Sequence, residues 1–113
     1  MKSPKLSEAQ ILLALHCKEL GWERIEYEYR FHPARKWRCD LAVFDIKALI
    51  EVDGGMFSGG HKRGGALEDD YIKQNEAQAA GWKLYRFSNR QVMSGDAKKW
   101  LGSLYLGLRC DFA

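Results

Sequence analysis

The apolar positions of this chain change their period several times, and each change marks an element. Ile11, Leu12, Leu15 and Leu20 recur at the spacing of a helix. Ser7 stands where an N-cap belongs, Gln10 follows in the capping-box position, and Gly21 ends the run. "RIEYEYRF" alternates instead and is rich in aromatics, which predicts a strand that Pro33 in "HPARK" breaks. In "WRCDLAVFDIKALIEVD" two apolar, β-branched runs flank "DIK", the pattern of a tight antiparallel hairpin. "ALEDDYIKQNEAQAAG" returns to a helix closed by Gly81, and "WKLYRF" is a further strand. "SGDAKKWLGSLYLGL" predicts a last helix with Trp100, Leu101, Leu104 and Leu108 on its buried side. The order α-β-β-β-α-β-α predicts an α/β fold, a central mixed sheet flanked by helices.

Composition narrows this picture. A length of 113 residues, 46% apolar and 29% charged, suits one domain spanning 1–113 with a single core. No apolar run nears the roughly 20 residues of a membrane span, and "MKSPKLSEAQ" does not have the pattern of a signal peptide. The three cysteines, Cys17, Cys39 and Cys110, are widely spaced without a C-x-x-C, which argues against a disulfide framework or a zinc site. A reducing, cytoplasmic location is expected. The net charge of +3 says little, but its distribution says more. "RFHPARKWR" gathers Arg30, Arg35, Lys36 and Arg38, and "HKR" gathers His61, Lys62 and Arg63. Such clusters suit either phosphate-contacting surfaces or solvated loops.

The chemistry concentrates in the hairpin. With a two-residue turn at Asp45-Ile46, Phe44 pairs with Lys47, Asp40 lies opposite Glu51, and Arg38 lies opposite Asp53. Glu51 and Asp53 then share a face. Two carboxylates about 5 Å apart repel by roughly 3 kcal/mol at an effective dielectric near 20. A divalent cation between them, or a proton on one, relieves that repulsion. Oxygen ligands alone favour Mg²⁺ or Mn²⁺ over zinc. The plainer alternatives are a pairing of Asp40 with Arg38 or Lys47, and a turn-opening role for Asp53 before Gly54. Behind the hairpin, six of the eleven glycines fall between Leu49 and Gly65, a loop whose backbone can come close to a bulky ligand.

On these residues the chain resembles the PD-(D/E)XK nuclease superfamily, the restriction-endonuclease-like fold. "EYRFHPARKWRCDLAVFDIKALIEVDGG", "GGHKRGG" and "DDYIKQNEAQAAGWKLYRFSNRQV" are similar to small bacterial and phage endonucleases related to the very-short-patch-repair enzymes. The resemblance implies a Mg²⁺- or Mn²⁺-dependent endodeoxyribonuclease. Asp40 takes the place of the motif aspartate and Glu51 that of the second acid, with the Val52 carbonyl as a further metal ligand. The motif's usual lysine is replaced by Asp53. Lys73 on the following helix or Lys62 in the loop is the candidate to stand in for it. His61 is a candidate general base or phosphate contact, and Arg35, Lys36, Arg38, Lys62 and Arg63 are candidate DNA contacts. Glu8 or Glu19 on the first helix, or Glu28 on the first strand, is a candidate extra acid. A homodimer would extend the surface offered to DNA, and "KKWLGSLYLGL" has an apolar face for that or for the chain's own core.

Two other functions fit the same residues. Without the motif lysine, the chain is also readable as a DNA-binding module on a nuclease-like scaffold. Paired carboxylates also serve glycosidases, for which Trp37, Phe57 and Trp82 would have to supply the sugar-stacking rings.

Overall fold

The computed structural model describes residues 5–53 and 65–105. Helix α1 spans Glu8–Glu19, followed by strands β1 (Ile25–Tyr29), β2 (Cys39–Val43) and β3 (Ala48–Asp53). Helix α2 (Gly65–Ala79) leads into β4 (Lys83–Ser88), and α3 (Asn89–Ser94) and α4 (Asp96–Tyr105) close the described chain. The sheet order is β1-β2-β3-β4, antiparallel between the first three strands and parallel between β3 and β4. This is the α/β fold with a mixed sheet flanked by helices that the sequence predicts. Among the described residues no helix is long and apolar enough to cross a membrane.

Two cores lie on opposite faces of the sheet. On one, Leu41, Val43, Ile50 and Phe87 pack against Leu13 and Cys17 of α1, Val92 of α3 and Leu101 of α4. On the other, Ala42, Leu49 and Trp82 pack against Ala77 of α2. Helix α1 begins on the expected capping box: Ser7 Oγ accepts from the Gln10 N–H, and Gln10 Oε1 accepts from the Ser7 N–H. Of the apolar positions read from the sequence, Leu12 and Leu20 pack partly buried against the core, but the rest of the buried stripe is different. Ile11 and Leu15 are half exposed, whereas Ala9, Leu13, Ala14 and Cys17 face the sheet. Both stripes have helical spacing, and the one with small residues lets the helix approach the strands closely. The last predicted helix forms as α4, and a short helix that the sequence pattern did not predict, α3, precedes it. Ser88 and Gln91 form a second capping box that starts α3, and Gly95 ends it with φ 91. Trp100 and Leu104 are partly buried and Leu101 fully so, while Leu108 lies outside the described residues.

The hairpin keeps its predicted register through a different turn. Leu41 pairs with Ile50, Ala42 with Leu49 and Val43 with Ala48. Phe44 and Lys47 are not a ladder pair. A 3₁₀ turn spans Phe44–Ile46, and Lys47, left-handed at φ 54, donates its N–H to the Phe44 carbonyl at 3.1 Å. Phe44 N–H goes instead to Arg24 O, and Lys47 O receives Lys83 N–H, so the turn is tied to both neighbouring strands.

Candidate active site

The site lies where the β2–β3 ladder stops. One step past the Leu41–Ile50 pair, the same register sets Asp40 across from Glu51. The alternation of β1 and β2 breaks at this level. Ile25 of β1 packs in one core and Tyr29 in the other; on β2 the same holds for Leu41 and Cys39. Regular strands would put each pair on one face. On β1 the break coincides with Glu28, whose φ of 51 is left-handed. A side-chain-bearing residue held there stores about 1–3 kcal/mol of strain.

The polar groups around this break are closely coupled. Asp40 Oδ2 accepts the Val52 N–H at 2.8 Å. Among the described residues it pairs with neither Arg38 nor Lys47. Burial raises the Asp40 carboxyl above its ordinary value; the Val52 N–H opposes this, and the nearby charges of Glu51 and Glu28 add to the rise. Gln10, buried on α1, donates its Nε2 to Glu28 Oε2 at 2.7 Å and to the Asp40 carbonyl at 3.3 Å. Glu28 therefore stands beside the site, whereas Glu19 is turned away onto Lys98 at 2.7 Å.

Glu51 does not wait for a cation to be neutralised. Lys73 of α2 sets its Nζ 2.8 Å from Glu51 Oε2 and 2.7 Å from the Arg38 carbonyl. The two side chains are only 19% and 14% exposed, above a floor of Cys39, Leu49, Ala77 and Leu84. Lys73 reaches down because it lies one turn before Ala77, the residue that seats α2 on the sheet. Asp53, two residues past Glu51, points to the same side but holds Arg86 at 3.0 Å, and Arg86 also reaches Asp70 at 3.2 Å. Two cations thus arrive from beyond the glycine loop, one for each acid of β3.

Of the candidate residues, Asp40, Glu51, Val52 and Lys73 converge, with Asp53 at the rim. Arg35, Lys36 and Arg38 lie exposed on the segment before β2, which the Lys73–Arg38 bond joins to the site. His61, Lys62 and Arg63 lie outside the described residues. Among the described residues no cluster of three or more His, Cys, Asp or Glu is gathered tightly enough to hold a metal ion. Sequence reading missed Gln10 and Arg86. Gln10 was hidden behind its cap role, and Arg86 was one basic residue in a strand whose parallel partner was unknown. Burial pushes the thiols of the two described cysteines, Cys39 and Cys17, up to about 12, which keeps them protonated near neutral pH.

No family model matches the sequence, and no curated protein matches it. Among solved structures it is similar to the catalytic domain of the homing endonuclease I-Bth0305I. That likeness has a TM-score of 0.65 at 14% identity and covers 89% of this chain and 96% of the other. The two chains therefore share a fold.

Proposed function

We propose that the chain is a divalent-metal-dependent DNA endonuclease of the PD-(D/E)XK type. The observation that carries this reading is Lys73: a helix-borne ammonium held against Glu51, where the sequence motif lacks its lysine. Asp40, Glu51 and the Val52 carbonyl form an oxygen donor set suited to Mg²⁺ or Mn²⁺. Asp40 in particular is a half-buried carboxyl whose pKa is raised by burial first and by the charges of Glu51 and Glu28 as well, a burden that a cation would relieve. A bound cation would supply Lewis acidity and a more acidic water at this site. Lys73 then does what the chain itself can do, offering an N–H to orient the attacking oxygen beside the scissile phosphate. Arg35, Lys36 and Arg38 bind the flanking phosphates. His61, Lys62 and Arg63 belong to the same reading as loop-borne contacts.

A second reading has its own support. The Lys73–Glu51 pair leaves that acid satisfied without a metal, as in a scaffold that binds DNA and does not cut it. Supercoiled plasmid with Mg²⁺ or Mn²⁺ separates the two. The endonuclease nicks or linearises it, and Asp40→Ala abolishes the cutting. Equal cutting by wild type and Asp40→Ala, or no cutting of any DNA form, removes the endonuclease reading.

A further inference from the structure

The basic segment 30–38 has no helix or strand of its own over most of its length, yet side chains hold it together. His32 Nδ1 accepts the backbone N–H groups of Ala34 at 3.1 Å and Arg35 at 3.0 Å. With Nδ1 an acceptor twice over, the ring proton sits on Nε2, which donates to Glu76 Oε1 of α2 at 3.0 Å. Trp37 closes the segment on itself. Its ring stacks on Phe31 with a centroid separation of 6.1 Å, meets the His32 ring edge-on at 5.2 Å, and carries the Arg35 guanidinium 4.5 Å from its centroid. At the far end the Arg38 carbonyl accepts Lys73 Nζ. Lys73 and Glu76 are three residues apart and so leave α2 on one face. Both ends of the basic segment are bolted to the helix that carries Lys73.

We infer that His32 is a positioning residue for DNA: held by Glu76, it orders residues 30–38 so that Arg35, Lys36 and Arg38 meet the phosphate backbone already in place. This rests on the nuclease reading and adds the means by which binding and the Glu51–Lys73 site share one helix. The physical ground is the cost of ordering. A loose segment must give up its conformational freedom when it binds, and a prebuilt one has already done so.

Removing the bolt therefore weakens affinity without removing a phosphate contact. The test is binding of a fluorescently labelled mixed-sequence duplex, without divalent metal, across a salt series. Arg35→Ala loses affinity and flattens the salt slope by about one, because a phosphate contact is gone. His32→Ala and Glu76→Ala are expected to lose about tenfold in affinity with the salt slope unchanged, as ordering is added to the cost of binding. Glu76 is half exposed, so its alanine variant keeps the inference testable if His32→Ala folds poorly. Glu76→Gln still accepts from a neutral His32 Nε2–H and is expected to bind as wild type does. Wild-type affinity in His32→Ala and Glu76→Ala, beside a weakened Arg35→Ala, overturns the positioning role and leaves the DNA reading standing. A flattened slope in those variants also overturns it, since they would then be phosphate contacts themselves. Loss of affinity in Glu76→Gln rules out the neutral hydrogen bond. If Arg35→Ala, Lys36→Ala and Arg38→Ala all bind as wild type, the DNA face and this inference fall together.

Discussion

At the scale of single residues, Asp40 and Lys73 carry opposite burdens. The folded protein holds the Asp40 proton more tightly than the unfolded chain does. Ionising this group therefore costs stability as pH rises through and above the ordinary value of 3.8, and the full cost is present at neutral pH. Asparagine removes the charge and keeps an oxygen for the Val52 N–H. In the absence of metal, Asp40→Asn is expected to melt above wild type at neutral pH, with the advantage shrinking as pH falls toward 3.8. A lower melting temperature at neutral pH would show that the charge is not a burden. For Lys73, the methionine variant keeps the stem and removes the ammonium. Cleavage rates in Lys73→Met are expected to drop by about 10²–10⁴, the scale of a lost proton-transfer or orienting group, while Mn²⁺ still raises the melting temperature. A variant that cuts at the wild-type rate would return the role to the loop lysine, Lys62.

At the scale of elements, Gln10 ties three of them together. It caps α1 on Ser7, holds the Glu28 carboxylate and touches the Asp40 carbonyl. Gln10→Ala strands these groups and is expected to cost about 1–3 kcal/mol in denaturant melts; a change within error would place the strain at Glu28 under other control. The hairpin register was legible because a turn centred on Asp45 and Ile46 gives the same strand pairing whether it is the expected two-residue turn or the 3₁₀ turn that forms, and that alone brought Asp40 opposite Glu51. The helix ends were legible where a capping box or glycine marked them. The face of α1 was not, because Ile11 and Leu15 have the same spacing as Leu13 and Cys17, and only the sheet decides between them. Nor was the break of alternation at Glu28 and Asp40, since left-handed backbone at a glutamate leaves no trace in composition. The Lys73–Glu51 pair was half legible: the helix face could be counted, but its docking depends on Ala77 and the β3–α2–β4 crossover.

At the scale of the whole molecule, β3 is the hinge of the design. It pairs antiparallel with β2, which brings Asp40, and parallel with β4, which brings Arg86. Helix α2, packed on the face opposite α1, then lowers Lys73 onto Glu51 and fastens the basic segment beside it. The acids of the hairpin, the ammonium of Lys73 and the basic segment thereby meet at one end of the sheet. A cation that binds only this folded arrangement raises stability by mass action, by about 2.7 kcal/mol at a hundredfold excess over its dissociation constant. Wild type is therefore expected to gain several degrees in melting temperature with Mn²⁺, and Asp40→Ala to gain none; equal gains in both would place the ion elsewhere.

The most direct measurement is anomalous scattering from a crystal of the protein soaked in Mn²⁺. A single strong peak touched by the carboxylates at 40 and 51, with the ammonium of residue 73 moved off its partner, is the expected picture. Density showing that ion pair intact and no manganese at the end of the hairpin would contradict the account.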